Sequence, residues 1–217
     1  MNQADDLVSP LRYGGNSWVA SLDLDLSTSK TIRDFRISYG AARLTSSASK
    51  EGSHLQEGDW LDARAAVFRT VAEALGGRLS FGLGGAVSGR FSLYEHWYTQ
   101  EDRETWSHLF LLLEPGLAWH VRLSGGGALW QEWTFPLAGM VLRPPYQGLT
   151  EVPEPAWEGL GGVRGVQQSI HYRRPFGGRW WGGVSYSFEG LRYSRPRPLS
   201  WARHALTFHL ILFPLDP

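Results

Sequence analysis

The sequence predicts an all-β protein: a closed, antiparallel, up-and-down transmembrane β-barrel of about ten strands, with eight as the fallback, formed by a single domain over residues 1–217. Three observations carry this expectation. Two unusually long strands alternate apolar with small or polar residues from end to end. Short and long connections follow one another in strict order. Charged residues recur in mid-strand on the face opposite to the apolar one.

The alternation is clearest between Leu79 and Leu123. Leu79, Phe81, Leu83, Val87, Phe91 and Leu93 occupy every second position, with Ser80, Gly82, Gly84, Ala86, Ser88, Arg90 and Ser92 between them. Leu109, Leu111, Leu113, Leu117, Trp119 and Val121 likewise alternate with His108, Phe110, Leu112, Glu114, Ala118, His120 and Arg122. A period of two residues is that of a β-strand. Strands of soluble proteins usually end after about five or six residues. These run to about sixteen, which at ~3.3 Å per residue and a tilt near 40° rises roughly 40 Å, enough to cross a bilayer.

The other elements follow in order. Asn2 to Gly15 ends in a turn-rich connection, and a first clear strand sets Trp18, Ala20, Leu22 and Leu24 against Ser17, Val19, Ser21, Asp23 and Asp25. Phe35, Ile37, Tyr39 and Ala41 oppose Arg36, Ser38 and Gly40, and Leu61, Ala63, Ala65 and Val67 oppose Asp62, Arg64 and Ala66. Beyond the central pair, Leu129, Trp133, Phe135, Leu137 and Val141 are read as one strand against Trp130, Glu132, Thr134 and Ala138. Val166, Ile170 and Tyr172 face away from Gln167, Ser169, His171 and Arg173. Val184, Tyr186 and Phe188 face away from Ser185, Ser187 and Glu189. Leu206, Phe208 and Leu210 face away from Arg203, Ala205, Thr207 and His209. Connections read as short after Leu26, Leu75, Leu123 and Arg174 and long after Leu44, Tyr94, Leu142 and Tyr193. This is the order of periplasmic turns and external loops in outer-membrane barrels. Bacterial barrels have even strand numbers, so the N-terminal segment is assigned the missing strand, part of which is expected to be absent from the chain. The polar, acidic start is not a signal peptide, which a barrel needs for export, so a mature form or a late start is expected.

Composition agrees with that placement. Lys plus Arg and Asp plus Glu number 21 each, for zero formal charge, so no basic surface for nucleic acid is expected. There is no cysteine, which excludes disulfides, thiolate metal sites and thiol nucleophiles. The 26 glycines suit a crowded barrel interior and the 11 tryptophans suit interface girdles; Trp18, Trp60, Trp119, Trp133, Trp180, Trp181 and Trp201 are mostly read in that way.

Two stretches, Ser9-Pro-Leu-Arg-Tyr-Gly-Gly15 and Phe135-Pro-Leu-Ala-Gly-Met-Val-Leu-Arg-Pro-Pro-Tyr146, resemble motifs of a family of outer-membrane barrel proteins from Bacteroidetes-type bacteria. The resemblance spans roughly Asp5 to Phe213. The chain departs from the family pattern in having Arg143 where a small Ser is usual, in a shortened acidic loop after Tyr146 and in a curtailed N-terminus. Because the family has no established activity, the resemblance implies fold and location only: the outer membrane of a Gram-negative bacterium.

On this alternation the lumen receives Asp23, Asp25, Asp62, Glu114, Glu132 and Glu189, with Arg36, Arg64, Arg90, Arg122, Arg173 and Arg203 opposing them and His108, His120, His171 and His209 nearby in register. Charges in a narrow lumen are costly unless paired, and the arginine fork binds carboxylates bidentately, so a self-neutralised network plugging the barrel is the leading reading. A conducting pore would carry one sign of charge along its wall, so a structural, scaffold or very limited permeation role is expected, with a narrow small-solute pore as one alternative. The sharper alternative is a lipid hydrolase or deacylase using Ser169, His171 and Glu189, since Ser169 and His171 share a face and Glu189 lies on the next strand. On balance no catalysis is expected. His120 with Glu114 lacks a third ligand, so no metal and no cofactor are expected. The basic run Arg192, Arg195 and Arg197 is a candidate contact for lipopolysaccharide phosphates. The expected partners are the lipid bilayer, lipopolysaccharide and, through the external loops, other outer-membrane proteins, with the barrel itself a monomer.

Overall fold

The computed structural model describes residues 2–5, 9–25, 30–46, 55–97, 103–142, 156–159, 162–177, 180–194 and 199–212 of the 217-residue chain. They form one antiparallel sheet that curls almost into a closed barrel. Its strands are β1 (Asn2–Asp5), β2 (Ser9–Asp25), β3 (Thr31–Ser46), β4 (Leu55–Ala74), β5 (Leu79–Trp97), β6 (Arg103–Arg122), β7 (Ala128–Thr134), β8 (Ala138–Leu142), β9 (Ala156–Glu158), β10 (Val163–Gly177), β11 (Trp180–Tyr193) and β12 (Leu199–Leu212). The barrel has ten strands, because β7 and β8 are two pieces of one and the three-residue β9 adds only to β8.

Most strands run further than the sequence reading allowed. β2 begins at Ser9, so the expected turn-rich stretch is strand, and the ladder to β1 skips from Arg12 to Ser9 to accommodate Pro10 and Leu11. A bulge is the ordinary way to seat a proline, which has no N–H to give to the ladder. β3, β4, β5 and β6 likewise extend well into the segments read as long loops, leaving 47–54 and 98–102 between them.

The strand read over Leu129–Val141 is broken at 135–137, where Pro136 cannot donate. Phe135 and Leu137 still donate their N–H groups to the carbonyls of Pro115 and Leu113 on β6 (both 2.9 Å), so the break is a local bulge. It also exchanges faces: Glu132 and Thr134 point inward before it, and Val141 does so after it, opposite to the simple alternation.

Closure has one seam. β5 pairs with β6 along its whole length, but β1 joins β12 to β2 over four residues only, with Asn2 opposite both Ala202 and Gly14. Below that point, among the described residues, β2 pairs with β3 alone and β12 with β11 alone. Phe208 (79% exposed), Leu22 (75%) and Leu210 (69%) flank this seam and are among the most exposed apolar side chains of the molecule.

The two faces of the sheet differ as the alternation demands. Leu61, Val67, Leu83, Val87, Leu113 and Leu206 point outward and are exposed, while Phe68, Ala86, Phe110, Glu114 and Ala118 point inward and are buried. The interior is layered. Phe110, Leu112, Val141, Val163, Leu191, Tyr193, Leu199 and Trp201 fill the end nearer the long connections. Ala66, Phe68, Ala86 and Ala118 fill the end nearer the short turns. Between these apolar layers lies a polar band.

Candidate functional site

The polar band is built by inward-facing positions of β2, β3, β4, β5, β6, β7, β10, β11 and β12, and it resolves into four groups. At the centre of the first, Arg90 (β5) and Arg203 (β12) alternate with Asp62 (β4) and Glu189 (β11). Arg90 donates through Nε and Nη2 to Asp62, the latter at 3.0 Å, and through Nη2 to Glu189 at 2.8 Å. Arg203 Nη2 donates to Asp62 at 3.0 Å and to Glu189 at 2.9 Å. Each guanidinium lies over an indole, Arg90 at 5.1 Å from the Trp201 ring and Arg203 at 5.4 Å from that of Trp60. Two cations, two anions and two aromatic faces thus compensate one another in the interior. Trp60 and Trp201 are interior residues, not girdle residues as mostly expected. Their sequence parity with Asp62 and Arg203 already carried that information.

In the second group Arg64 grips Glu132 with both terminal nitrogens, at 3.4 and 3.1 Å, and reaches Asp34 at 3.5 Å. Ser169 Oγ donates to Glu132 at 2.8 Å, and His171 Nε2 lies 3.5 Å from the same carboxylate. His171 stacks flat on Trp130, 4.6 Å between centroids, and the Arg173 guanidinium lies 4.7 Å from the centre of the same indole. Ser169 and His171 therefore converge on Glu132, whereas Glu189 is occupied by two arginines. Asp34 lies before Phe35, where the alternation becomes visible, but β3 already begins at Thr31, so Asp34 shares the inward parity of Arg36 and Ser38.

The third group is small: Glu114 accepts from Ser88 and, at 2.6 Å, from Thr134. The fourth lies at the seam. Asp23 on β2 accepts from Arg36 Nε through one carboxylate oxygen, and its other oxygen lies 3.5 Å from Nδ1 of His209 on β12. The second ring nitrogen of His209 is 2.7 Å from Ser185 Oγ on β11.

The remaining sequence candidates lie apart from these groups. Arg122 is exposed at the short-turn end of β6, His120 is half-buried on the same strand, and the backbone of Asp25 stands opposite Asp34. Arg192 is exposed and faces outward, since its neighbours Leu191 and Tyr193 are buried inward; Arg195 and Arg197 lie outside the described residues. Among the described residues no group of three or more His, Asp or Glu is placed to hold a metal ion.

A cavity of about 80 Å³, room for a few waters, is lined by Ser21, Arg36, Asp62, Arg90, Ser185, Glu189, Arg203, Thr207 and His209. No family model, curated protein or solved structure matches this chain.

Proposed function

We propose that this protein is an integral outer-membrane β-barrel of a Gram-negative bacterium, a monomeric scaffold whose lumen is plugged by its own ion pairs. The resemblance to Bacteroidetes-type outer-membrane barrels belongs to the same reading. One observation carries it: the outward faces of β2 to β6 and β12 form a belt of exposed apolar side chains, while the paired charges of the central band are gathered inside. A protein in water buries the first and exposes the second; in hydrocarbon the preference inverts. Outward Trp180 at the start of β11 suits an aromatic girdle, while outward Trp18 and Tyr39 pack edge to face near the middle of β2 and β3. Even the shorter long strands, 14 residues in β11 and β12, rise about 35 Å when tilted near 40°. The partners on this reading are the bilayer and lipopolysaccharide, with outward Arg192 at headgroup level, and other outer-membrane proteins through the external connections.

The test is the electrophoretic mobility of detergent-folded protein, boiled against unboiled, followed by planar-bilayer recording. A faster unboiled band and a silent bilayer are expected. Solubility without detergent overturns the membrane placement, and steady single-channel steps overturn the plug.

A further inference from the structure

We propose that the interior wall of the β2–β12 seam is an ester-hydrolysing site in which Ser185 is the nucleophile, His209 its general base and Asp23 the residue that positions the imidazole. The inference goes beyond the scaffold reading and rests on it only for the source of the ester. The substrate class is a carboxylic ester with an apolar acyl chain.

The geometry comes first. Ser185 Oγ and Asp23 Oδ2 engage opposite nitrogens of one imidazole, at 2.7 Å from Nε2 and 3.5 Å from Nδ1. A carboxylate can only accept, so it holds the proton on Nδ1 and leaves the Nε2 lone pair for the Ser185 hydroxyl. That is the arrangement by which a serine is activated for acyl transfer, and the Nδ1 contact is of the length that tightens when substrate binds. Arg36 fixes the other oxygen of Asp23 and so sets the carboxylate's orientation. Three other interior hydroxyls behave differently: Ser88 and Thr134 donate to Glu114, and Ser169 donates to Glu132. A serine bound directly to a carboxylate has no imidazole to take its proton; Ser185 has one.

Access is the second observation. The cavity that Ser185 and His209 line also touches Val19, Ser21, Ala205 and Thr207, the inward residues on the two sides of the seam. Directly outside lie Leu22, Leu206, Phe208 and Leu210, all strongly exposed. An acyl chain lying along them brings its carbonyl to the gap. Residues 16–25 and 203–212 have a ladder partner on one side only, so alternate backbone N–H groups point into the gap. They are donors at hand for a developing oxyanion.

The reaction balances with water as the second reactant. Ser185 Oγ attacks the carbonyl carbon while His209 takes its proton. The bond to the alcohol oxygen breaks, and His209 delivers the proton to that oxygen, leaving an acyl-serine. A water from the cavity then attacks the acyl carbon. His209 takes its proton and returns it to Ser185 as the carboxylic acid departs.

The full chain, folded in detergent, is tested with p-nitrophenyl butyrate, with phosphatidylethanolamine vesicles and with a fluorophosphonate probe. Hydrolysis of the soluble ester and probe attachment at Ser185, located by mass spectrometry, are expected. Ser185→Ala should lower the rate at least 100-fold while Ser169→Ala leaves it unchanged. Asp23→Asn should lower kcat by about 10³-fold or more with little change in KM, and Asp23→Glu should recover part of it. Probe labelling of the unaltered protein decides the matter even where a variant fails to fold: attachment elsewhere, or none, overturns the site. Turnover of the soluble ester with vesicles untouched keeps the site and rejects a bilayer lipid as its source. A missing boiled–unboiled shift bears on the membrane placement alone.

Discussion

Replacing Arg90 by Met probes the four-charge group where it is most tightly bound. Arg90 donates twice to Asp62 and once to Glu189 and covers the Trp201 indole, and its side chain is only 14% exposed. Removing one partner of a buried charge pair costs about 3–5 kcal/mol. Two effects move the value within that range. Arg203 still touches both carboxylates, at 3.0 and 2.9 Å, which reduces the loss; the cation–π contact adds about 0.5–1 kcal/mol to it. We expect a destabilisation of about 3 kcal/mol, since one cation is left for two anions. Adding Glu189→Gln restores the balance, with Arg203 facing Asp62 alone. The double variant should then be less destabilised than the sum of the singles by about 1–2 kcal/mol. The assay is urea unfolding of the folded barrel, read from tryptophan fluorescence and from the unboiled gel band. A loss below about 1 kcal/mol for Arg90→Met, or strict additivity, would refute the view that these four side chains act as one unit.

Two further outcomes use the same unfolding assay. A Cβ at Gly40 would fall inside the Trp60 indole and 2.8 Å from the Trp18 carbonyl oxygen, so Gly40→Leu should cost about 2–3 kcal/mol through overpacking. Leu83→Arg separates the two solvents for the outward face, because Leu83 is 58% exposed. Folding into lipid vesicles should weaken by about 2–4 kcal/mol if the belt lies in hydrocarbon, whereas an exposed position in water would change by less than about 0.5 kcal/mol.

The faces of the strands were legible because the two-residue period is local. Knowing that Leu83 points out fixes that Ser88 and Arg90 point in, and Asp62 and Arg64 follow by the same parity. Trp60 and Trp201 obeyed that rule too; composition-based reasoning about girdles obscured it. Register was not legible. Whether Glu189 meets Ser169 or Arg90 depends on how far each strand is staggered against its neighbour, and a single bulge resets it. Pro136 shows the effect, since Val141 changes face beyond it. Ser185, His209 and Asp23 stand far apart in sequence on three strands, and no spacing rule joins them. Neither the Ser169–Glu132 contact nor the seam itself has a local signature.

The seam and its polar cluster have a common physical origin. An unpaired strand edge facing an apolar medium leaves backbone donors and acceptors unsatisfied, at a cost of several kcal/mol each if no other partner is found. Along most of the barrel wall the ladder supplies those partners. Between β2 and β12 the ladder stops at Gly14 and Ala202, and below it a side-chain link, Asp23 to His209, spans the gap. Asp23 and His209 are thus asked to hold two edges together and, on our proposal, to prepare Ser185. The two demands respond differently to substitution. Holding the edges needs charge and reach, which Asp23→Glu retains, whereas catalysis needs the imidazole at a set angle to Ser185, which the longer carboxylate disturbs. Full stability with reduced turnover in that variant is what a site serving both demands produces, and equal losses in both would mean that the link is structural alone.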